Sequence, residues 1–291
     1  MVLPILKSAR PHQWVKNLFV AAPVVFAHRL GDRQADLRTA AAFGIFCLLS
    51  STVYLANDLV DVEKDRAHPV KRLRPIASGA LPVRVARPLT ALLALAALSG
   101  ALGLGLPFAI VAASYLALNG AYSLALKKIA FVDVGCLSFF YLLRVWGGAA
   151  AIPVPVSRWL LACTLLLSAM LGFGKRAHEL RVAGETRTLQ RDVLGRYDPQ
   201  ILQALLIFLG VATTVTYFAY TRSPHARLMF HTSRLTLTIP FVAFGIARFI
   251  WIVNRQAHPE SPTDSMLRDG PFVINLVLYA TAALGILYLA P

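Results

Sequence analysis

Apolar residues run along this chain in long blocks, broken by short polar links and by two longer polar stretches. Several blocks approach or exceed the ~20 residues that a helix needs to cross the hydrocarbon core of a bilayer. Taken in order they predict spans over 14–28, 39–56, 88–106, 107–126, 131–151, 157–173, 200–220, 235–253 and 271–289. Residues 1–16 are basic and amphipathic and read as a short interfacial helix. The third and fourth spans meet at Gly105-Leu106-Pro107, too tight a link for anything but adjacent helices. One long polar stretch follows the second span and reaches Arg87. The other follows the sixth and reaches Pro199, and a shorter loop with Pro259, Pro262 and Arg268-Asp269 precedes the last span. The expectation is an all-α polytopic membrane protein of about nine transmembrane helices, forming a single domain over residues 1–291.

Composition agrees. The chain is 57% hydrophobic and 15% charged, with a mean hydropathy of +0.62, too apolar for an ordinary soluble domain. The basic start lacks the short apolar core of a cleavable signal peptide. With the N-terminus inside, roughly 20 of the 29 Lys and Arg fall in inner loops, a clear positive-inside bias that puts both long polar stretches on the cytoplasmic side. A formal net charge of +15 would suggest nucleic acid for a soluble protein. Here the cations lie between spans and no nucleic-acid motif accompanies them, so anionic headgroups and phosphorylated substrates are the expected partners. Cys47, Cys136 and Cys163 lie in separate apolar runs and read as packing residues.

Chemistry concentrates where the second span ends, in Asn57-Asp58-Leu59-Val60-Asp61-Val62-Glu63-Lys64-Asp65. On a helix turning about 100° per residue, Asn57, Asp58, Asp61 and Asp65 share one face and Glu63 lies on the other. Carboxylates so grouped repel one another unless a cation sits among them. Such hard oxygens suit Mg²⁺, which takes one or two carboxylates together with substrate phosphates. Lys71, Arg72 and Arg74 just beyond suit phosphate directly. The plainer reading is a charged loop solvating a helix end.

Asn-Asp-x-x-Asp-x-x-x-Asp at a membrane helix end, followed by Lys71-Arg72-x-Arg74-Pro75-Ile76-x-Ser78-Gly79, resembles the first aspartate-rich motif of the UbiA superfamily of intramembrane transferases. That resemblance implies a UbiA-type bundle with a cytoplasm-facing polar cavity and Mg²⁺ bound at the acidic face. In many members a second aspartate-rich motif forms the opposite wall. Here the corresponding place reads Gly174-Lys175-Arg176-x-x-Glu179-Leu180, with one acid left and two cations in place of the others. Its plain alternative is a structural ion pair, Lys175 to Glu179 at i,i+4. Tyr122 and Lys127 stand at another inner helix end in a Tyr-x-x-x-x-Lys spacing that resembles the superfamily's, although a Tyr there also suits an interfacial belt. Arg10-Pro11-x-Gln13-Trp14-x-Lys16-Asn17 heads the first span, either as a membrane anchor or as part of the site. Arg144 lies well inside the fifth span, where a charge is costly, and reads as structural or as an outer-side lipid contact.

The three motifs together resemble the decaprenyl-phosphate phosphoribosyltransferase branch. The branch implies a bacterial plasma-membrane enzyme that transfers 5-phosphoribosyl from phosphoribosyl pyrophosphate to polyprenyl phosphate, releasing pyrophosphate, for cell-wall or other pentose-glycan precursors. On that reading Asn57, Asp58 and Asp61 hold the metal, with Asp65 a second ligand or sugar contact. Lys71, Arg72, Lys127, Lys175 and Arg176 hold donor phosphates, and Arg74, Tyr122 and Asn17 are further substrate-binding candidates. Arg10 and Lys16 face the lipid phosphate or the donor's 5-phosphate, and Glu179 orients Lys175 or Arg176 or holds a ribose hydroxyl. Two alternatives stand beside it: a UbiA prenyltransferase with a prenyl pyrophosphate donor and a small acceptor, and a lipid-phosphate carrier without chemistry. Self-association into a homo-oligomer is left open by the sequence.

Overall fold

The structure, a computed structural model, describes residues 2–183, 192–255 and 262–288. Part of the second long loop, Pro259 and the end of the last expected span at Leu289 lie outside these residues. No strand occurs among the described residues, and the helices group into two compact units. The first comprises Met1–Leu124 and Leu143–Val156, the second Ala125–Leu142 and Ser157–Pro291.

In the first unit, α1 (Val2–Ala9) leads into a 3₁₀ stretch, Pro11–Ala21, and a short α2 (Ala22–Phe26). Then come α3 (Arg33–Val60), α4 (Val62–Ala67), α5 (Val83–Leu104) and α6 (Leu106–Leu124). The seventh helix, α7 (Val132–Ala151), belongs to this unit from Leu143 onward. The second unit holds the start of α7 and then α8 (Arg158–Ala183), α9 (Pro199–Arg222), α10 (Pro224–Phe230), α11 (Ile239–Arg255), α12 (Pro262–Arg268) and α13 (Gly270–Tyr288).

Among the described residues eight helices are long and apolar enough to cross a membrane: α3, α5, α6, α7, α8, α9, α11 with the turn before it, and α13. The chain is an integral membrane protein. The first expected span, 14–28, takes a different form, because its chain is 3₁₀ for eleven residues before five α-helical ones. At about 2.0 Å per 3₁₀ residue and 1.5 Å per α residue the stretch Pro11–Phe26 covers roughly 30 Å, the thickness of the apolar core.

The reason for the 3₁₀ form is visible in its contacts. Side chains three apart eclipse one another in a 3₁₀ helix, so Trp14, Asn17 and Val20 form one straight row. Trp14 Nε1 donates to Ser51 Oγ at 3.2 Å, and Asn17 donates to Cys47 Sγ at 3.4 Å and accepts from Ser50 Oγ at 3.2 Å. Gly148 on α7 closes the far end: a Cβ there would lie 2.0 Å from the Val20 carbonyl oxygen. Arg144, one turn earlier on α7, donates from Nε to Asn17 Oδ1 at 2.8 Å and from Nη2 to the Tyr115 hydroxyl at 3.0 Å. Its guanidinium lies 5.1 Å from the Tyr115 ring centre. The intramembrane arginine is thus a tie between α7, α6 and the N-terminal segment.

Arg38 does the same at the other end of α3, donating to the carbonyls of Ala151 and Leu104, each at 2.5 Å, where α7 and α5 end and their last carbonyls lack helical partners.

Candidate active site

The acidic motif sits where α3 breaks. Asp61 leaves helical geometry (φ −92°, ψ 9°) between α3 and α4, yet its N–H still donates to the Asn57 carbonyl at 2.9 Å and its carbonyl accepts from Asp65 N–H at 2.8 Å. The helix that carries the acidic face is therefore interrupted at Asp61, with these two hydrogen bonds still joining α3 to α4. Glu63 lies outside the acidic face as the spacing implied, exposed and paired with Arg66 at 2.8 Å.

Asp58 and Asp65 are both buried, and two arginines reach them. Arg10 Nη2 meets Asp58 Oδ1 at 2.7 Å. Arg74 Nη1 meets Asp58 Oδ1 at 3.2 Å and Asp65 Oδ2 at 2.7 Å. Local structure aims each of them. Arg10 takes a left-handed conformation (φ 52°) at the corner between α1 and the 3₁₀ stretch, and its guanidinium lies 4.9 Å from the Tyr54 ring centre. Arg74 sits on the loop between α4 and α5, which is pinned by Ile76 and Leu81 packed with Ala86 against Ile5, Leu59, Val62 and Val83. The Leu81 N–H also donates to the Pro75 carbonyl at 2.8 Å, and Gly79 supplies the positive φ (82°) the turn requires. Asn57 Oδ1 accepts from the Ser123 hydroxyl at 2.6 Å.

Among the described residues no three Asp, Glu, His or Cys side chains converge as a protein-only metal cage. The donor set is a pair: Asp58 and Asp65 touch the same arginine nitrogen, so those two oxygens lie no more than about 6 Å apart. Two hard carboxylates fit a Mg²⁺ that fills its remaining positions with substrate phosphates and water. In the structure Arg10 and Arg74 supply the positive charge the acids need.

The remaining expected residues of the first unit are spread more widely. Lys71 and Arg72 are exposed on the Lys71–Leu73 turn, Lys16 is half-buried, and Tyr122 is half-buried near the end of α6. Asn17 is fully buried among Cys47, Ser50 and Arg144, an interior tie and not a surface contact.

In the second unit Lys127 lies on the 3₁₀ turn Leu126–Lys128 and Lys175 is half-buried on α8. Arg176 is wholly enclosed. Its Nε lies 2.8 Å from Asp133 Oδ2, and its Nη1 meets the Glu179 carboxylate. Asp133 Oδ1 accepts from the Tyr197 hydroxyl at 2.5 Å, and that hydroxyl accepts from Phe131 N–H at 2.7 Å. Burial and the bond to Asp133 push the Tyr197 hydroxyl far above its ordinary pKa, so it remains a donor. Gly174 lets α8 and α11 approach closely: a Cβ there would come 2.5 Å from the Phe249 ring. Sequence reasoning missed Asp133, Tyr197 and Ser123. The signal for Asp133 was an acid set between Val132 and Val134 at the head of an apolar span.

The sequence pattern described as the UbiA prenyltransferase family matches residues 17–180, more than half of the chain. The chain belongs to the UbiA prenyltransferase family. It is 38% identical over 235 residues to the decaprenyl-phosphate phosphoribosyltransferase of Mycolicibacterium smegmatis, covering 79% of this chain and 74% of that one. It is 34% identical over 252 residues to the protein of the same name from Mycobacterium tuberculosis, covering 84% and 83%. In structure it resembles a UbiA homologue from Archaeoglobus fulgidus bound to DMAPP and Mg²⁺, with a TM-score of 0.70 at 17% identity, covering 97% of this chain and 98% of the other. The family and branch read from the motifs are borne out, and the UbiA chain is an intramembrane transferase.

Proposed function

We propose that the chain transfers the 5-phosphoribosyl group of phosphoribosyl pyrophosphate to a polyprenyl phosphate at the cytoplasmic face of a bacterial plasma membrane. The observation that carries this is the likeness, over most of the chain, to relatives named for decaprenyl-phosphate phosphoribosyl transfer. It is supported by a buried acid pair set beneath two arginines. An oxygen of the lipid phosphate forms a bond to the anomeric carbon, the bond from that carbon to the pyrophosphate oxygen breaks, and pyrophosphate leaves with the electron pair. The nucleophile is already an anion, so the site needs no strong general base.

Asp58 and Asp65, with Asp61 and Asn57 beside them, would hold Mg²⁺, which when bound would supply positive charge for the departing pyrophosphate. Arg74 and Arg10, already at this acid pair, are assigned to phosphate contacts there, and Lys71, Arg72, Lys127 and Lys175 to donor phosphates. Lys16 and Tyr122 remain candidate substrate contacts. Arg176 has no exposed surface and is assigned a positioning role, with Glu179 and Asp133 fixing it.

The test is transfer of radiolabel from phosphoribosyl pyrophosphate into the organic phase by purified protein with polyprenyl phosphate and Mg²⁺. Metal-dependent transfer is expected, and Asp61→Asn should abolish it while the protein still inserts and folds. Full activity of that variant would remove the acidic face from the mechanism. Label moving only from a prenyl pyrophosphate to a small acceptor would assign the chain to ordinary prenyl transfer.

A further inference from the structure

The second unit carries a cationic cavity at its other end. It measures about 650 Å³ and is lined by Arg222, Arg227, His231, Thr232, Ser233 and Thr236. The 24 residues of α9 separate it from Tyr197 and the Arg176 cluster, a rise of roughly 36 Å. The cavity therefore lies about a bilayer's thickness from that network. Within the unit it has no part in the chemistry proposed above, and the inference does not rest on that reading.

Three observations give the cavity a ligand class. No Asp or Glu occurs anywhere in residues 199–259, so Arg222, Arg227 and Arg234 have no acid in their own stretch of chain. On the orientation set by loop charge this is an outer loop, where clustered arginines run against the positive-inside bias. The available donors are also those that recognise phosphate. Two guanidinium forks match phosphate oxygens, and the His231 side chain adds an imidazole, carried on a left-handed residue (φ 50°) that ends α10. The Thr232 hydroxyl oxygen accepts from Arg234 N–H at 3.1 Å and keeps its proton to give. The Thr236 hydroxyl donates to the Ser233 carbonyl at 3.0 Å and is already committed.

The surroundings are apolar. Leu228 and Leu237 are 76% and 67% exposed, and the Arg222 guanidinium stands 5.9 Å from the Phe218 ring centre. A cationic cleft at the end of a membrane span, with exposed leucines next in sequence to the lining residues Arg227 and Thr236, matches a headgroup with acyl chains beside it.

We propose that this cavity is a binding site for a phosphate group, such as an anionic phospholipid headgroup or a free phosphate presents, at the end of the second unit remote from Arg176. The experiment uses the full chain in neutral detergent and the double variant Arg222→Gln/Arg227→Gln, each titrated with phosphatidylglycerol or phosphatidylcholine and read by native mass spectrometry. A parallel melting series adds millimolar inorganic phosphate. The wild type should hold one more tightly bound phosphatidylglycerol than the variant, with affinity at the lost site reduced about tenfold or more and no difference for phosphatidylcholine. Arg222→Lys/Arg227→Lys, which keeps the charge, should restore part of that binding and controls for folding. If phosphate alone raises the wild-type melting temperature and leaves the Gln variant unmoved, the site holds and its occupant is a soluble phosphate. Equal phosphatidylglycerol retention in wild type and variant, with no effect of phosphate on either, overturns the proposal.

Discussion

Arg74 offers the sharpest test of how the acidic face is held. Its Nη1 touches carboxylates whose side chains are only 3% and 4% exposed. Substituting Gln removes the cation between them. Two carboxylates about 6 Å apart at an effective dielectric of about 20 repel by about 3 kcal/mol. Removing one partner from a buried pair costs about 3–5 kcal/mol. Two features pull the expected loss to the lower end: Arg10 still meets Asp58 at 2.7 Å, and Arg74 itself is 31% exposed. Arg74→Gln should therefore lower unfolding stability by about 2–3 kcal/mol, read by denaturant titration in mixed micelles. Adding Asp65→Asn removes one side of the repulsion and should return about 1–2 kcal/mol of it. The double-mutant cycle measures that coupling, and sites that do not interact add to within about 0.5 kcal/mol. Additivity at that level, or an Arg74→Gln protein as stable as the wild type, would refute the account.

Three further outcomes follow from other contacts. Gly148→Ala should expose the N-terminal segment to protease, because its Cβ would collide with the Val20 carbonyl, whereas Gly120→Ala, with nothing within 4 Å of the new methyl, should be silent in the same assay. Lys175→Ala should raise the apparent KM for phosphoribosyl pyrophosphate more than that for the lipid acceptor in steady-state transfer; the reverse would move Lys175 to the lipid side. Arg248 pairs with both oxygens of Asp269 at 3.0 and 2.8 Å, and this pairing holds the Asp269 pKa below its ordinary value. A depressed carboxylate pKa stabilises above the unfolded value near 3.9 and is lost as pH falls through the folded one. The melting-temperature gap between wild type and Asp269→Asn should be full at neutral pH and close as pH falls below about 4.

Much of this architecture could be read from hydrophobic runs. The seventh span, expected over 200–220, is Pro199–Arg222, because Asp198 caps it with bonds to Gln200 and Ile201 N–H and Pro199 opens it. The first span was legible as an apolar stretch but not as 3₁₀. A run that short does not separate a period of 3.0 from 3.6, and the clue lay in a polar Asn17 aligned with Trp14 and Val20. The acidic face was legible because its residues are local in sequence. Its cations were not: spacing marked Arg10 and Arg74 as basic, but only the anchoring of Ile76 and the left-handed turn at Arg10 bring them to Asp58. Arg176 reads in the sequence as a donor-phosphate contact, and its enclosure beside Asp133 is not legible there because Asp133 lies on an earlier helix and no local pattern announces a contact between distant segments.

The docking of the N-terminal stretch has a consequence for how the protein is made. Its seat is closed by Arg144 on Asn17 and by Gly148 against Val20, residues that leave the ribosome only after six helices have been synthesised. The N-terminal segment therefore cannot reach its final packing until α7 arrives, although its bonds to Cys47, Ser51 and Asp58 on α3 need no later helix. In ribosome-bound chains stopped before α7, a Val20→Cys thiol should be open to labelling, and in chains extended until Gly148 has emerged it should be protected. A segment that precedes α3 in the chain would then be fixed only after α7, so that its protection reports that the first unit is whole.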